Sequence, residues 1–209
     1  MRYALFIIIT LAITSYSLDA QDTDNIMWSS MQITKTLDEK NSIAFKPIMR
    51  HHQDISEYQN LSLDASYRRQ LGKGWHAQFI TRYWFIPDNT NRYFMWYDVG
   101  YGKKIKKSKL SSHVRFHNAI DIKDRVDPDF FRWKTKWTFP AMGKFTLEMA
   151  IEPWYRVDAI NEFVRMRYEP GINYKISDSW IFQAVYRREN NKGDARDFNV
   201  AVINLGYKF

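Results

Sequence analysis

Ser111 and His113 are residue types that carry out nucleophilic catalysis, and they lie two positions apart. In an extended strand, residues two apart point to the same side, so the hydroxyl and the imidazole would be neighbours. A serine nucleophile also needs a group that orients the histidine and donors for an oxyanion. Asp121 is too far along the strand to orient His113, although His76 would be close if its strand is adjacent. An enzyme that acts on lipid or lipopolysaccharide through Ser111 and His113 is therefore kept as an alternative hypothesis.

Charged residues of opposite sign recur at spacings that bring them together across predicted hairpins. We centre one hairpin on Met142 and the next on Asp178, which places each partner opposite the other. An opposed pair contributes about 0.2–1 kcal/mol, and pairing avoids an uncompensated charge in a confined space. The predicted pairs are Arg132 with Glu152, Lys136 with Glu148, Arg167 with Glu189, and Arg187 with Glu169.

The segments that carry these charges show a strong alternation between two classes of residue. From Phe145 to Val157, one parity is apolar or aromatic, whereas the other includes Glu148, Glu152 and Arg156. Alternation over more than ten residues exceeds an ordinary soluble strand of about five or six residues, and it matches a tilted membrane-crossing strand. One face is therefore predicted to contact lipid and the other to fill a lumen.

A repeat of strand, short turn, strand and longer loop organises the chain. The residue that opens the strand after each short turn recurs every 35 positions, at Trp75, Leu110, Phe145 and Trp180. Short turns on one side and longer loops on the other are typical of outer-membrane barrels. Eleven candidate strands begin near Ile26, Asn41, Tyr58, Gly74, Arg92, Leu110, Phe130, Lys144, Phe163, Ser179 and Asp197.

An odd number of strands conflicts with the usual even closure of such barrels. Either the segment 25–37 is a partial strand, which leaves ten, or one strand has been missed, which gives twelve. The predicted fold is thus all-β: an antiparallel transmembrane up-and-down β-barrel of 10–12 strands. Its charge-filled lumen is expected to be occluded or narrow rather than a wide pore.

Composition and the N-terminus agree with an exported barrel. Aromatic residues make up 17% of the chain and charged residues 26%, and the mean hydropathy is −0.52. Arg2 followed by the apolar run 4–13 predicts a signal peptide cleaved after Ala20, so residues 1–20 form the signal and 21–209 the barrel. The protein is therefore expected in the bacterial outer membrane, in contact with lipid and lipopolysaccharide.

Other classes of partner receive little support. The net charge of +8 is spread along alternating strands without a nucleic-acid motif, so no nucleic acid is predicted. No cofactor is predicted either. His51 and His52 are adjacent and would point to opposite faces of a strand, which makes a poor metal site.

The last strand has the form of an outer-membrane assembly signal. Ala201, Ile203, Leu205, Tyr207 and Phe209 share one face, and the chain ends on the aromatic residue. This ending predicts recognition by the barrel-assembly machinery.

Several of these motifs together resemble a family of bacterial outer-membrane proteins known as domain of unknown function 2490. The resemblance is carried by the early Trp28 strand, the aromatic hairpins Tyr67 to Trp75 and Tyr174 to Trp180, and the ending Asn204 to Phe209. It covers nearly the whole mature chain and implies a barrel, but no activity and no functional residue.

Two interpretations of the charge pairs follow. The favoured one is a purely structural network in a non-enzymatic barrel, and it predicts that Glu148→Gln lowers the resistance to heat unfolding. The sharper one is a narrow selective pathway for a small anionic solute, because Arg and Lys are in excess on this face.

Overall fold

The computed structural model describes residues 24–87, 91–120, 128–157, 161–193 and 196–209. The predicted signal peptide and Asp121 lie outside these residues. The described residues form a closed barrel of eleven strands. The strands are β1 (Asp24–Thr36), β2 (Asn41–His52), β3 (Glu57–Gly72), β4 (Trp75–Phe85), β5 (Arg92–Ile105), β6 (Ser108–Ile120), β7 (Phe130–Pro140), β8 (Phe145–Arg156), β9 (Glu162–Lys175), β10 (Trp180–Asn191) and β11 (Phe198–Lys208).

The all-β barrel is confirmed, and every predicted strand start lies within two residues of the observed one. Consecutive strands pair in antiparallel fashion, whereas β1 and β11 close the barrel in parallel, from Asp24 opposite Phe198 to Thr34 opposite Lys208. Neither proposed way of restoring an even count was right. An odd number of up-and-down strands leaves the first and the last running in the same direction, and a parallel ladder then joins them. In the part of the chain that the structure describes, no helix has the length and apolarity needed to span a bilayer.

The barrel has two distinct ends. At the turn end, short turns at 37–40, 73–74, 106–107, 141–144 and 176–179 join the strands. At the loop end, the strands are joined by 53–56, 86–91, 121–129, 157–161 and 192–197. Asp38 organises the first turn, because its carboxylate accepts hydrogen bonds from the backbone N–H groups of Lys40 and Asn41 and from the Asn41 amide, at 2.8–3.0 Å. These hydrogen bonds hold the pKa of Asp38 below its ordinary value, and the bond from the Asn41 side chain has the largest effect.

The outer face of the wall is apolar and is zoned along the strands. Large aliphatic residues such as Val99 and Met149 are about half exposed near mid-height. Aromatic pairs with ring centroids 4.6–5.2 Å apart are concentrated toward both ends, although the Phe79–Tyr97 pair lies in the middle of its strands. At the turn end they are Trp75–Tyr101, Phe145–Tyr174 and Trp180–Tyr207, and at the loop end Tyr83–Phe85, Phe116–Phe131 and Tyr155–Phe163. The 35-residue recurrence of strand openings thus places Trp75, Phe145 and Trp180 at the same end of the barrel, the turn end.

Candidate functional site in the barrel lumen

The interior of the barrel is a cavity of about 1470 Å³ that is lined by residues of all eleven strands. Its lining extends from Asp24 and Arg156 near the loop end to Gly102 and Thr146 near the turn end. Among the described lining residues, fifteen are Lys or Arg and six are Asp or Glu, and the buried carboxylates of Asp64 and Glu169, which pair with Arg82 and Lys134, bring the acids to eight. The lumen is therefore strongly basic.

Glu152 on β8 occupies the centre of the charge network. Only 2% of its surface is exposed, and its carboxylate accepts from Arg132 Nη2 at 2.8 Å and from Arg167 Nη1 at 3.2 Å. Arg167 also contacts Glu189 through Nε at 2.8 Å, and Arg165 Nη1 approaches the same carboxylate at 2.9 Å. Two buried carboxylates are thus contacted by three guanidinium groups at 3.2 Å or closer, and Arg187 Nη1 lies 3.7 Å from Glu189.

A second part of the network surrounds Glu169 and Glu148. Arg187 Nε donates to Glu169 at 2.7 Å, and the ammonium of Lys134 contacts the other Glu169 oxygen. Glu148 has one charged neighbour, Lys136 at 3.5 Å, and it accepts from the side-chain amides of Asn173 and Gln183, both at 2.9 Å.

The structure brings all eight predicted lumen residues together, but the predicted register of β7 and β8 was wrong. Lys136 lies opposite Ala150 rather than Glu148, and Arg132 lies opposite Trp154 rather than Glu152. The hairpin is centred on Gly143, whose φ of 59° in the left-handed region makes the turn one residue later than expected. The long side chains still reach their partners diagonally. On β9 and β10, Arg167 does lie opposite Glu189.

Two further bidentate pairs were missed at the sequence level. Arg82 donates to Asp64 at 2.5 and 2.6 Å, and Arg115 donates to Asp98 at 2.6 Å through two nitrogens. Centring the β3–β4 hairpin on Lys73 would have placed Asp64 opposite Arg82, as observed. The same signal that predicted the other pairs was therefore present here.

Tryptophan rings in the lumen wall stack against these arginines. Trp154 has the guanidinium carbons of Arg132 and Arg167 at 3.9 and 4.0 Å from its ring centroid. Trp96 has those of Arg82 and Arg115 at 4.2 and 4.6 Å. Cation–π contacts of this kind contribute about 0.5–2 kcal/mol each. They hold the guanidinium planes in place and fill the lumen between the ion pairs.

Arg50 on β2 differs from the other buried arginines. Its guanidinium carbon lies 4.1 Å from the ring centroid of Trp28 and 4.5 Å from that of Trp84. Only 6% of the residue is exposed, and its Nε has no hydrogen-bond partner among the described residues. No described carboxylate forms an ion pair with it.

The residues of the catalytic hypothesis face the lumen without forming a triad among the described residues. Ser111 Oγ donates a long 3.4 Å hydrogen bond to the carbonyl of Lys136, and no described group bonds to the ring of His113. His76 lies on β4 and is separated from β6 by β5. A Cβ on Gly100 would meet the His76 ring at 2.5 Å and His113 at 2.9 Å, so both histidines pack against this glycine.

The adjacent histidines of the second strand are divided between the two faces, as expected. His52 lines the lumen, whereas His51 packs edge-on against Tyr58 with ring centroids 6.0 Å apart. Within the described ranges, no group of three or more His, Asp or Glu residues has an arrangement that would hold a metal ion.

No protein-family model and no curated protein matches the sequence. The resemblance to the domain of unknown function 2490 family stays a prediction.

Proposed function

We propose that the chain is a non-enzymatic β-barrel of the bacterial outer membrane, with a narrow basic lumen that favours small anions. The observation that carries the proposal is the inverted polarity of the wall. Among the described residues, fifteen polar or charged residues are buried against eight hydrophobic ones, while Trp133 and Met149 are 58% and 56% exposed outside. A barrel dissolved in water would require the reverse arrangement.

The zoning of the outer face supports a position across a bilayer. An apolar outer face whose aromatic pairs are concentrated toward both ends matches a hydrocarbon core between two lipid–water interfaces. The predicted signal peptide, and a last strand that exposes Ile203 on its outer face and is followed by the exposed Phe209, agree with export to the outer membrane and with assembly there.

The lumen supports a restricted pathway rather than a wide pore. Charged side chains of β7 to β10 project into it, where Glu152, Glu169 and Glu189 each contact at least two cations. The excess of Lys and Arg lowers the energy of an anion inside the lumen and raises that of a cation. Small anions are therefore the solutes that this interior admits best.

The membrane position is tested by placing a charge on the outer face. Met149→Arg should weaken folding into lipid vesicles by about 2–4 kcal/mol, because the guanidinium would have to enter the hydrocarbon region. Met142→Arg is the matched control, since Met142 is 80% exposed at the tip of a turn. Heat-modifiable migration after refolding reports the folded fraction. Equal refolding of the two variants would contradict a membrane-spanning wall.

The anion pathway is tested by conductance. The barrel is incorporated into planar bilayers with a KCl gradient, and the reversal potential is measured. For an anion-selective barrel, we expect the reversal potential to lie between zero and the equilibrium potential of chloride. A cation-selective current, or no current from barrels shown to be folded, would refute the pathway while leaving the membrane position intact.

A further inference from the structure

Arg50 is a buried cation with no carboxylate at ion-pair distance among the described residues. Four arginines are buried, namely Arg50, Arg82, Arg132 and Arg167. The last three each contact at least one carboxylate at 3.2 Å or closer. Asp64 lies on β3, the strand next to that of Arg50, and its two carboxylate oxygens already accept hydrogen bonds from Nε and Nη2 of Arg82.

The two tryptophan rings that stack on Arg50 carry hydrogen-bond donors without an acceptor among the described residues. Trp28 lies directly opposite Arg50 across the β1–β2 ladder, and Trp84 approaches from β4. The indole Nε1 atoms of both tryptophans are buried without a partner among the described residues, as is Arg50 Nε. All three residues line the same lumen cavity.

The guanidinium of Arg50 and the two indole N–H groups are suited to bind an anion. A buried charge without a counter-charge is costly, and an anion removes that cost. A guanidinium that stacks on aromatic rings keeps its in-plane N–H groups available, and their fork matches the two oxygens of a carboxylate or phosphate. Indole N–H groups only donate, so they add affinity for an acceptor and none for a cation.

We propose that Arg50, together with the indole N–H groups of Trp28 and Trp84, forms a binding site for a small oxyanion of carboxylate or phosphate type. The site would be a stopping point for solutes inside the lumen. Its biological meaning rests on the proposed anion pathway, but binding itself requires only the folded barrel.

Binding is tested on the purified full-length mature barrel in detergent micelles. Inorganic phosphate and acetate are titrated at constant ionic strength, and tryptophan fluorescence and the Tm are recorded. A saturable fluorescence change and a Tm that rises with phosphate are expected, because a ligand of the folded state stabilises it. Acetate is expected to act likewise if a carboxylate suffices, so the two probes separate the two oxyanion classes.

Arg50→Met is the decisive variant, because it keeps an apolar chain and removes the charge. Its affinity for phosphate should fall by at least about tenfold, as expected for the loss of a charged hydrogen-bonding group. Arg68→Met is the matched control: Arg68 also lines the lumen, but it lies outside the proposed site. This variant should bind phosphate as the unchanged protein does.

A second variant keeps the test informative if Arg50→Met does not fold. Trp84→Phe retains an aromatic ring and removes one indole N–H, so a severalfold loss of phosphate affinity is expected. Equal losses in Arg50→Met and Arg68→Met would show a general charge effect and overturn the site. Absence of saturable binding by the unchanged barrel would also overturn it. Saturable binding in a barrel that carries no anion current would refute the pathway and retain the site.

Discussion

Replacing Glu152 by glutamine measures how much the lumen network stabilises the barrel. The substitution keeps the shape of the side chain, so no cavity forms, but it removes the charge that faces Arg132 and Arg167. Loss of one partner of a buried ion pair typically costs about 3–5 kcal/mol. Because Arg167 retains Glu189 at 2.8 Å, we expect the lower end, about 3 kcal/mol.

The assay is urea unfolding in lipid vesicles, followed by tryptophan fluorescence. Glu162→Gln is the matched control, because Glu162 pairs with Lys192 at the loop end, where the two side chains are 36% and 63% exposed. Such a pair contributes about 0–1 kcal/mol. Adding Arg132→Met to Glu152→Gln should restore part of the loss, because it removes the uncompensated charge. A loss for Glu152→Gln no larger than that of the control would refute the reasoning.

Three further variants or titrations follow from single contacts. Glu148→Gln should cost about 1–3 kcal/mol in the same unfolding assay, because Asn173 and Gln183 donate to separate Glu148 oxygens and the NH2 group of a glutamine would face one of these donors. Gly100→Ala should cost about 1–3 kcal/mol, because the new Cβ would meet His113 Cβ at 2.9 Å as well as the His76 ring at 2.5 Å; an unchanged midpoint would contradict this packing. The Asp38 carboxyl should titrate below its ordinary pKa of 3.8, so its contribution to stability is present above that pH and is lost as the pH falls through the lowered value. Carbon NMR should show the Asp38 pKa rising in Asn41→Ala, and an unchanged pKa would contradict the hydrogen bonds of the turn.

The fold could be predicted because strand geometry leaves little freedom. A period of two forces every second residue to one face, and this chain separates Phe145, Leu147 and Met149 from Glu148 and its neighbours so cleanly that both faces are recognisable. Closure was not predictable in the same way. The sequence contains eleven strand patterns, but the parallel contact between the first and the last is a property of the whole ring and leaves no local pattern.

Contacts in the lumen were predictable only where a residue of opposite charge lies across a hairpin. The pair of Arg167 and Glu189 followed from hairpin geometry alone, whereas the left-handed turn at Gly143 shifted the β7–β8 register. Arg50 escaped notice because the residues opposite it on its two neighbouring strands are Trp28 and Asn60. A search for complementary charges passes over a cation whose neighbours are aromatic and neutral.

Because of the parallel closure, the start of the first strand and the end of the last strand lie at opposite ends of the barrel. Because β1 and β11 run in the same direction, β1 starts at the loop end at Asp24, whereas β11 finishes at the turn end at Lys208. Thirteen residues of a tilted strand separate these ends by about 30 Å. A fluorophore attached ahead of β1 and another attached after β11 would therefore emerge on opposite sides of any bilayer that the barrel crosses. The molecule thus carries its own orientation marker, and quenching from one side at a time would show which way each inserted copy faces.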